Sequence, residues 1–106
     1  MLDIGCGEGE LIQLLKGKYQ EIWGIDIAGP RIERVQKEFV DEPNIHVTTA
    51  DANEHLNFDD ASFDTIIAIA ILEHVFDPYH FVRECHRLLK KDGANNDLSC
   101  MARPSN

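Results

Sequence analysis

The sequence has few basic residues, few cysteines and no long apolar run. Its 106 residues include 10 Lys and Arg against 19 Asp and Glu, which gives a formal net charge of -9. Binding to nucleic acid or to an anionic membrane surface depends on Lys and Arg, so this balance argues against either partner. We therefore expect a small-molecule ligand.

Membrane-spanning and secreted proteins are also disfavoured. No apolar run approaches the ~20 residues that a membrane helix needs, and no basic-then-apolar leader is present. The three cysteines, Cys6, Cys85 and Cys100, show no CxxC spacing. A sparse, odd number of cysteines is typical of a reduced cytosolic protein rather than of a disulfide scaffold. These features predict a cytoplasmic protein.

The composition is that of one globular domain. A hydrophobic content of 43% is enough for a core, and 27% charged residues is ordinary. No internal repeat, low-complexity segment or linker marks a second domain. The first strand-like run is stunted and residues 103–106 have no packing pattern. We therefore expect a single, truncated domain over residues 1–106.

The most informative stretch is MLDIGCGEGE at residues 1–10. An apolar start runs into Asp3 and three alternating glycines, and a helical stripe of leucines follows. Glycine permits a tight turn and a close approach to a ligand because it has no Cβ. A strand that ends in such a turn and opens a helix can hold a nucleotide-like ligand. A lone glycine pattern is a weak signal, so the rest of the chain must supply the context.

Strand-like and helical patterns alternate along the rest of the chain. Such alternation implies parallel strands joined by right-handed crossovers, hence an α/β fold with helices on both faces of the sheet. The strands are predicted at 1–4, 22–26, 45–49 and 63–69, and residues 98–101 are compatible with a short fifth strand.

The predicted helices have recognisable ends. Pro30 suits the first position of the second helix, and Asp77 is a predicted N-cap of the last. Lys90 and Lys91 are expected to complement the C-terminal dipole of that last helix, and Gly93 is expected to end it.

Three acidic residues, Asp3, Asp26 and Asp51, fall at the ends of three predicted strands. In an open α/β sheet, ligands bind outside the carboxyl ends of the strands. Carboxylates there suit a ligand that offers hydroxyls, an amine or a positive charge, and they would repel a phosphate. Asp26 lies 19 positions after Gly7, close to the ~20-residue offset of a ribose-binding acid. Asp3 and Asp26 could instead be turn or cap residues.

Several motifs, in their order and spacing along the chain, resemble those of class I S-adenosylmethionine-dependent methyltransferases. The resemblance is to the small-molecule type, which has ubiquinone-pathway members. The motifs are LDIGCGEG at 2–9, GIDI at 24–27, ADA at 50–52, FDTII at 63–67, LEHV with DP at 72–78, and LLKKDG at 88–93. The resemblance implies an incomplete Rossmann-like parallel sheet of strand order 3-2-1-4, with room for a fifth strand. It also implies methyl transfer from S-adenosylmethionine to an acceptor that the sequence does not identify.

The resemblance further implies how the methionine part of the cofactor is held. Gly5, Cys6 and Gly7 would contact it through their backbone, although Cys6 also suits a small turn filler. Asp3 would bind its ammonium, directly or through water. Ala68, expected just past the fourth strand, would offer a backbone carbonyl to the same ammonium.

The resemblance also implies which residues bind the nucleoside part of the cofactor. Asp26 would bind the ribose, Ile27 would pack on the adenine, and Asp51 would accept from the adenine amine, with Ala52 in the same adenine-contacting phrase. His74 is a weak candidate for a general base, and a solvated or packed histidine is the plainer interpretation.

Some relatives hold a divalent metal with a Glu-x-x-Glu-His pattern, but here Ala70 replaces the first Glu. Because Glu73 and His74 alone make a poor site, we predict no metal. Two other functions stay open. One is a non-catalytic S-adenosylmethionine-binding remnant or scaffold. The other is a nicotinamide-dependent oxidoreductase, which is disfavoured because its third glycine would fall at Glu10.

Overall fold

The computed structural model describes residues 1–69, 71–91 and 97–101. They form a sheet of order β3-β2-β1-β4-β5 in which every neighbouring pair of strands is parallel. The strands are β1 (Leu2–Ile4), β2 (Ile22–Asp26), β3 (Ile45–Thr49), β4 (Thr65–Ile69) and β5 (Asp97–Met101). The helices are α1 (Glu10–Leu15), α2 (Gly29–Glu38) and α3 (Pro78–Leu88), and a 3₁₀ turn (Leu72–His74) follows β4. The predicted strand order, including a fifth strand, is confirmed.

Helices cover both faces of the sheet, as predicted, and each face has its own apolar cluster. A parallel sheet covered on both faces needs apolar side chains on both, which explains the nearly continuous apolar runs of the strands. The buried cluster that includes residues of α3 is formed by Leu2, Ile4, Ile25, Ala52, Leu56, Phe63, Ile66, Ala68, Phe81, Cys85, Leu88 and Leu89. The cluster that includes residues of α1 and α2 is formed by Met1, Cys6, Ile12, Ile22, Ile32, Val35, Phe39, Ile45 and Val47.

The junction between α3 and β4 differs from the sequence prediction. Phe63 is not part of β4 but forms an isolated parallel bridge with Leu89, and the Lys90 N–H donates to the Phe63 carbonyl at 2.9 Å. Leu89 is buried and its backbone is extended, with ψ 140°. Helix α3 therefore ends at Leu88, and its predicted continuation through the lysines is wrong. Gly93 lies outside the described residues.

The loop between β3 and β4 is fixed to α3 by a buried ion pair. Glu84 Oε1 accepts from the Leu56 N–H at 2.8 Å and from Arg87 Nη2 at 2.6 Å. Arg87 Nη1 also donates to the Phe58 carbonyl at 2.9 Å and to Asp60 at 2.8 Å. Burial acts to raise the pKa of Glu84, but the hydrogen bonds from Arg87 and Leu56 outweigh it and lower that pKa. The pair anchors a loop that begins with the acid after β3.

Candidate functional site

Two adjoining cavities open beyond the carboxyl ends of β1 and β2. Their volumes are about 360 and about 120 Å³, and both are lined by Gly5, Asp26, Ile71 and His74, so they are two lobes of one cleft. The larger, here the acidic lobe, is also lined by Asp3, Cys6, Gly7, Glu10, Leu11, Arg31 and Ile69. The smaller, here the apolar lobe, is also lined by Ile4, Ile25, Ile27, Ala50, Asp51, Ala52, Asn53 and Val75.

The glycine turn forms the floor where the lobes meet. Gly5 and Gly7 have φ of 78° and 57°, a left-handed conformation that side chains rarely adopt. The N–H groups of Gly5 and Cys6 both donate to the Ile25 carbonyl, at 2.8 and 2.9 Å, and the Gly7 N–H donates to Asp26 Oδ2 at 2.9 Å. These three N–H groups already have acceptors within the fold. The turn therefore allows a ligand to approach the backbone closely, but these three groups are not free to bind it.

Asp26 stands at the boundary of the two lobes, at the end of β2. Its Oδ2 accepts from the Gly7 N–H, and its Oδ1 accepts from the Ala28 N–H at 3.0 Å. Arg31 Nη1 lies 3.8 Å from the same Oδ2. An ionised carboxylate has about four acceptor positions. Asp26 therefore keeps capacity for hydroxyl donors of a ligand while the fold holds its orientation.

Asp3 is the most buried acid of the acidic lobe. Its residue is only 3% exposed, and no described residue donates a hydrogen bond to its carboxylate. Burial, and then the nearby charges of Asp26 and Glu10, raise the pKa of Asp3 from 3.8 to about 7. A positively charged group in this lobe would favour the ionised form of Asp3, so the lobe suits a cation.

The apolar lobe combines hydrophobic walls with one carboxylate. Ile27 is 66% exposed although it is a large apolar side chain, and Ala52 lines the same space. Asp51 Oδ1 accepts from the Asn53 N–H at 2.9 Å and from Asn53 Nδ2 at 3.0 Å. A planar ring with an amine on its edge fits such a combination.

Eight of the predicted cofactor residues line this cleft: Asp3, Gly5, Cys6, Gly7, Asp26, Ile27, Asp51 and Ala52. Their individual roles stay predictions. Ala68 is the exception, because β4 continues through Ile69 and Ala68 lies inside the strand, in register with Ile4 on one side and Cys100 on the other. The expected location of Ala68 just past the strand is wrong, and its side chain is fully buried.

Two further side chains of the cleft carry groups that can take part in proton transfer or nucleophilic attack, His74 and Cys6. His74 is exposed on the 3₁₀ turn, with Nε2 3.7 Å from Glu73 Oε1, and it lines both lobes. Burial, followed by the charges of Asp3 and Asp26, raises the pKa of the Cys6 thiol to about 12. A thiol held protonated in this way is a poor nucleophile, which favours a packing role for Cys6.

Arg31, Asn53 and Ile71 are among the residues of the cleft that sequence reasoning missed. Arg31 lines the acidic lobe beside three carboxylates, and only its place near the start of α2, five residues after Asp26, could have indicated it. Asn53 follows Asp51 by two residues, a spacing typical of an Asx turn. Ile71 lines both lobes and has no distinguishing sequence signal.

Within the described ranges, no group of three or more His, Cys, Asp or Glu side chains is placed to hold a metal ion. Ala70 lies outside those ranges, so the absence of a metal stays a prediction. No helix in the described part of the chain is long and apolar enough to cross a membrane.

The fold and the cleft define a class of protein. A parallel sheet whose strand order reverses beside β1, with a glycine turn and an acid after β2 at that point, is typical of α/β domains that bind nucleosides. The chain belongs to the methyltransferase domain family, whose model matches residues 2–95.

Individual relatives agree with this family. The chain is 34% identical over 95 residues to a ubiquinone biosynthesis O-methyltransferase of Paracidovorax citrulli, covering 88% of this chain and 40% of that one. The crystal structure of the YcgJ protein of Bacillus subtilis matches with a TM-score of 0.77 and 32% identity, over 87% of this chain and 40% of that one. The [4+2]-cyclase SpnF matches with a TM-score of 0.75 and 26% identity, over 87% of this chain and 36% of that one. The chain thus spans about 40% of the length of the curated relative named here.

Proposed function

We propose that this chain binds S-adenosylmethionine and transfers its methyl group to a small-molecule acceptor in the cytoplasm, with no nucleic-acid or membrane partner. The observation that carries the proposal is the Asp26 carboxylate, which lines both the acidic and the apolar lobe. An acid between a cation-favouring space and an apolar space matches a ribose between a charged amino-acid part and an adenine. The name of the Paracidovorax citrulli relative supports a small-molecule acceptor.

The acidic lobe would take the methionine part of the cofactor. Asp3 and Glu10 line this lobe, and both carboxylates favour an ammonium and a sulfonium. The same carboxylates, with the exposed Glu8 in the glycine turn, oppose a pyrophosphate. This charge distribution is why we rank a nicotinamide-dependent oxidoreductase below a methyltransferase.

The apolar lobe would take the adenine. Ile27 and Ala52 would contact the ring, and Asp51 would accept from its amine. Asp26, already oriented by the N–H groups of Gly7 and Ala28, would accept from the ribose hydroxyls.

When bound, the cofactor supplies a methyl group on positively charged sulfur, which is open to in-line displacement. The carboxylates of the acidic lobe favour the cation before transfer, so they contribute to binding. The rate then depends on how well the site aligns the acceptor with the methyl group. His74, exposed beside both lobes, would be the candidate to accept a proton from the acceptor.

Calorimetric titration with S-adenosylhomocysteine tests the binding site. We expect micromolar-range binding by the native chain and a loss of about tenfold or more in Asp26→Asn, since the amide is neutral and its Nδ2, which cannot accept a hydrogen bond, replaces one of the two carboxylate oxygens. The exposed Asp41→Asn is the matched control and should bind like the native chain. Affinity unchanged in Asp26→Asn, with thermal unfolding showing both variants folded, would contradict the proposed site.

A second candidate function is cofactor binding without methyl transfer. The chain is similar to a [4+2]-cyclase as well as to methyltransferases. Because a shared fold does not determine the reaction, this similarity supports the second candidate. A radiolabelled methyl-transfer assay across acceptor pools separates the two: transferred label supports the methyltransferase, while calorimetric binding with no transfer to any pool supports the non-catalytic function.

A further inference from the structure

One segment runs along both lobes of the cleft. Residues 71–76, here the crossing segment, connect β4 to α3. Ile71 lines both lobes, and its Cδ1 lies 3.3 Å from the position that a Cβ on Gly5 would occupy. Val75 lines the apolar lobe and packs against the cluster that includes residues of α3. The segment also contains His74, so the position of the segment determines the position of the His74 imidazole.

Asn53 joins this segment to the loop after β3. Its Oδ1 accepts from the Phe76 N–H at 2.7 Å, while its own N–H and Nδ2 donate to Asp51 Oδ1 at 2.9 and 3.0 Å. Asp51 Oδ2 receives no hydrogen bond from a described residue. One side chain therefore acts as acceptor toward the crossing segment and as donor toward the carboxylate of the apolar lobe.

We infer that Asn53 is a positioning residue, which orients the Asp51 carboxylate for a base with an exocyclic amine and ties the crossing segment to that carboxylate. A carboxamide suits both tasks because it carries a donor and an acceptor on one planar group. The inference rests on the proposed function only for the identity of the base, adenine. The hydrogen bond from the Phe76 N–H to Asn53, here called the tie, is present without any ligand.

Orientation of Asp51 has a specific consequence for base selection. Holding one oxygen through two N–H donors leaves the other oxygen to accept from the base. Adenine presents an amine at this edge, whereas hypoxanthine presents a carbonyl that a carboxylate repels. Asn53 therefore contributes to the preference for adenine over hypoxanthine, and not merely to the stability of the loop.

The tie is tested first without ligand, by measuring hydrogen exchange of the Phe76 amide with NMR. We expect a slowed amide in the native chain and at least tenfold faster exchange in Asn53→Ala. Asn57→Ala, an exposed asparagine in the same loop, is the matched control and should leave the amide slow. Asn53→Asp keeps an acceptor for Phe76 and should also keep it slow. An equally slow Phe76 amide in Asn53→Ala would overturn the tie.

Base selection is tested by titrating S-adenosylhomocysteine and its hypoxanthine analogue, S-inosylhomocysteine. We expect the native chain and Asn57→Ala to prefer the adenine ligand, and the preference to fall at least fivefold in both Asn53→Ala and Asn53→Asp. A merely structural role would weaken both ligands equally and leave the ratio unchanged, which would overturn the inference. Failure of the native chain to bind either ligand would instead refute the proposed function, and the exchange result would still decide the tie.

Discussion

Replacing Asp3 by asparagine is expected to stabilise the folded chain, by an amount that grows as the pH rises. Asp3 is a buried residue in a lobe with two other acids, and these surroundings raise the pKa of its carboxyl group to about 7. An asparagine has nearly the same shape and carries no charge. The substitution therefore removes the electrostatic cost and leaves the packing of β1 in place.

The sign and size follow from the two pKa values of Asp3. In the unfolded chain the acid ionises near 3.8, whereas in the folded chain it keeps its proton until about pH 7. Between these values the folded state binds more protons than the unfolded state, so stability falls with rising pH, by about 1.4 kcal/mol per unit. The total cost approaches about 4 kcal/mol above pH 7, as an order of magnitude. Between pH 5 and pH 8 the advantage of Asp3→Asn should grow by about 3 kcal/mol.

Urea unfolding of the native chain and of Asp3→Asn at several pH values measures this difference. The exposed Asp41→Asn is the matched control, and its difference from the native chain should not change with pH. A constant difference between Asp3→Asn and the native chain from pH 5 to pH 8 would refute the reasoning. It would mean that Asp3 is already ionised at pH 5 in the folded state.

Two further substitutions test the packing that supports the cleft. Gly24→Ala should lower the free energy of unfolding by about 1–3 kcal/mol, because the new Cβ would lie 2.6 Å from Ile12 Cδ1, whereas Gly29→Ala, with open space around it, should be neutral or slightly stabilising in urea unfolding. Arg87→Met should destabilise by about 3 kcal/mol because it removes the guanidinium partner of the buried Glu84 carboxylate. Arg83→Met, on the exposed side of α3, should stay within about 0.5 kcal/mol. A smaller loss for Arg87→Met than for Arg83→Met would contradict the anchoring role.

The elements that the sequence predicted best are those in which local pattern and tertiary packing agree. The run of apolar residues before Asp26 is a buried parallel strand, and such strands are apolar on both faces. Pro30 opens α2, whose Ile32 and Val35 are buried at helical spacing. Asp77 caps α3 by accepting from the N–H groups of residues 79 and 80. In each case a short-range rule was sufficient.

The misplaced elements depend on long-range contacts. The end of α3 could not be predicted because Leu89 leaves the helix to pair with Phe63, 26 positions earlier. Ala68 was misplaced because β4 pairs with β1 and β5 through Ala68, which therefore lies inside the strand that ends at Ile69. Asn53 accepts from the Phe76 N–H, 23 positions later, and Arg31 lies beside Glu8, 23 positions earlier, and only the folded chain brings these groups together. Sequence spacing carries little information on such pairs.

Glu84 and Asp3 are both buried acids, but one has a structural role and the other faces the cleft. Glu84, 6% exposed, is satisfied by Arg87 and by a backbone N–H, and its pKa is lowered. Asp3 is still more buried, receives no hydrogen bond from a described residue, and its pKa is raised. A buried acid whose partner is inside the fold serves the fold, whereas a buried acid that faces a cavity without a donor costs stability that packing elsewhere must offset. The partner that would relieve Asp3 is a cation entering the acidic lobe, and this is the physical reason for looking for a positively charged ligand there.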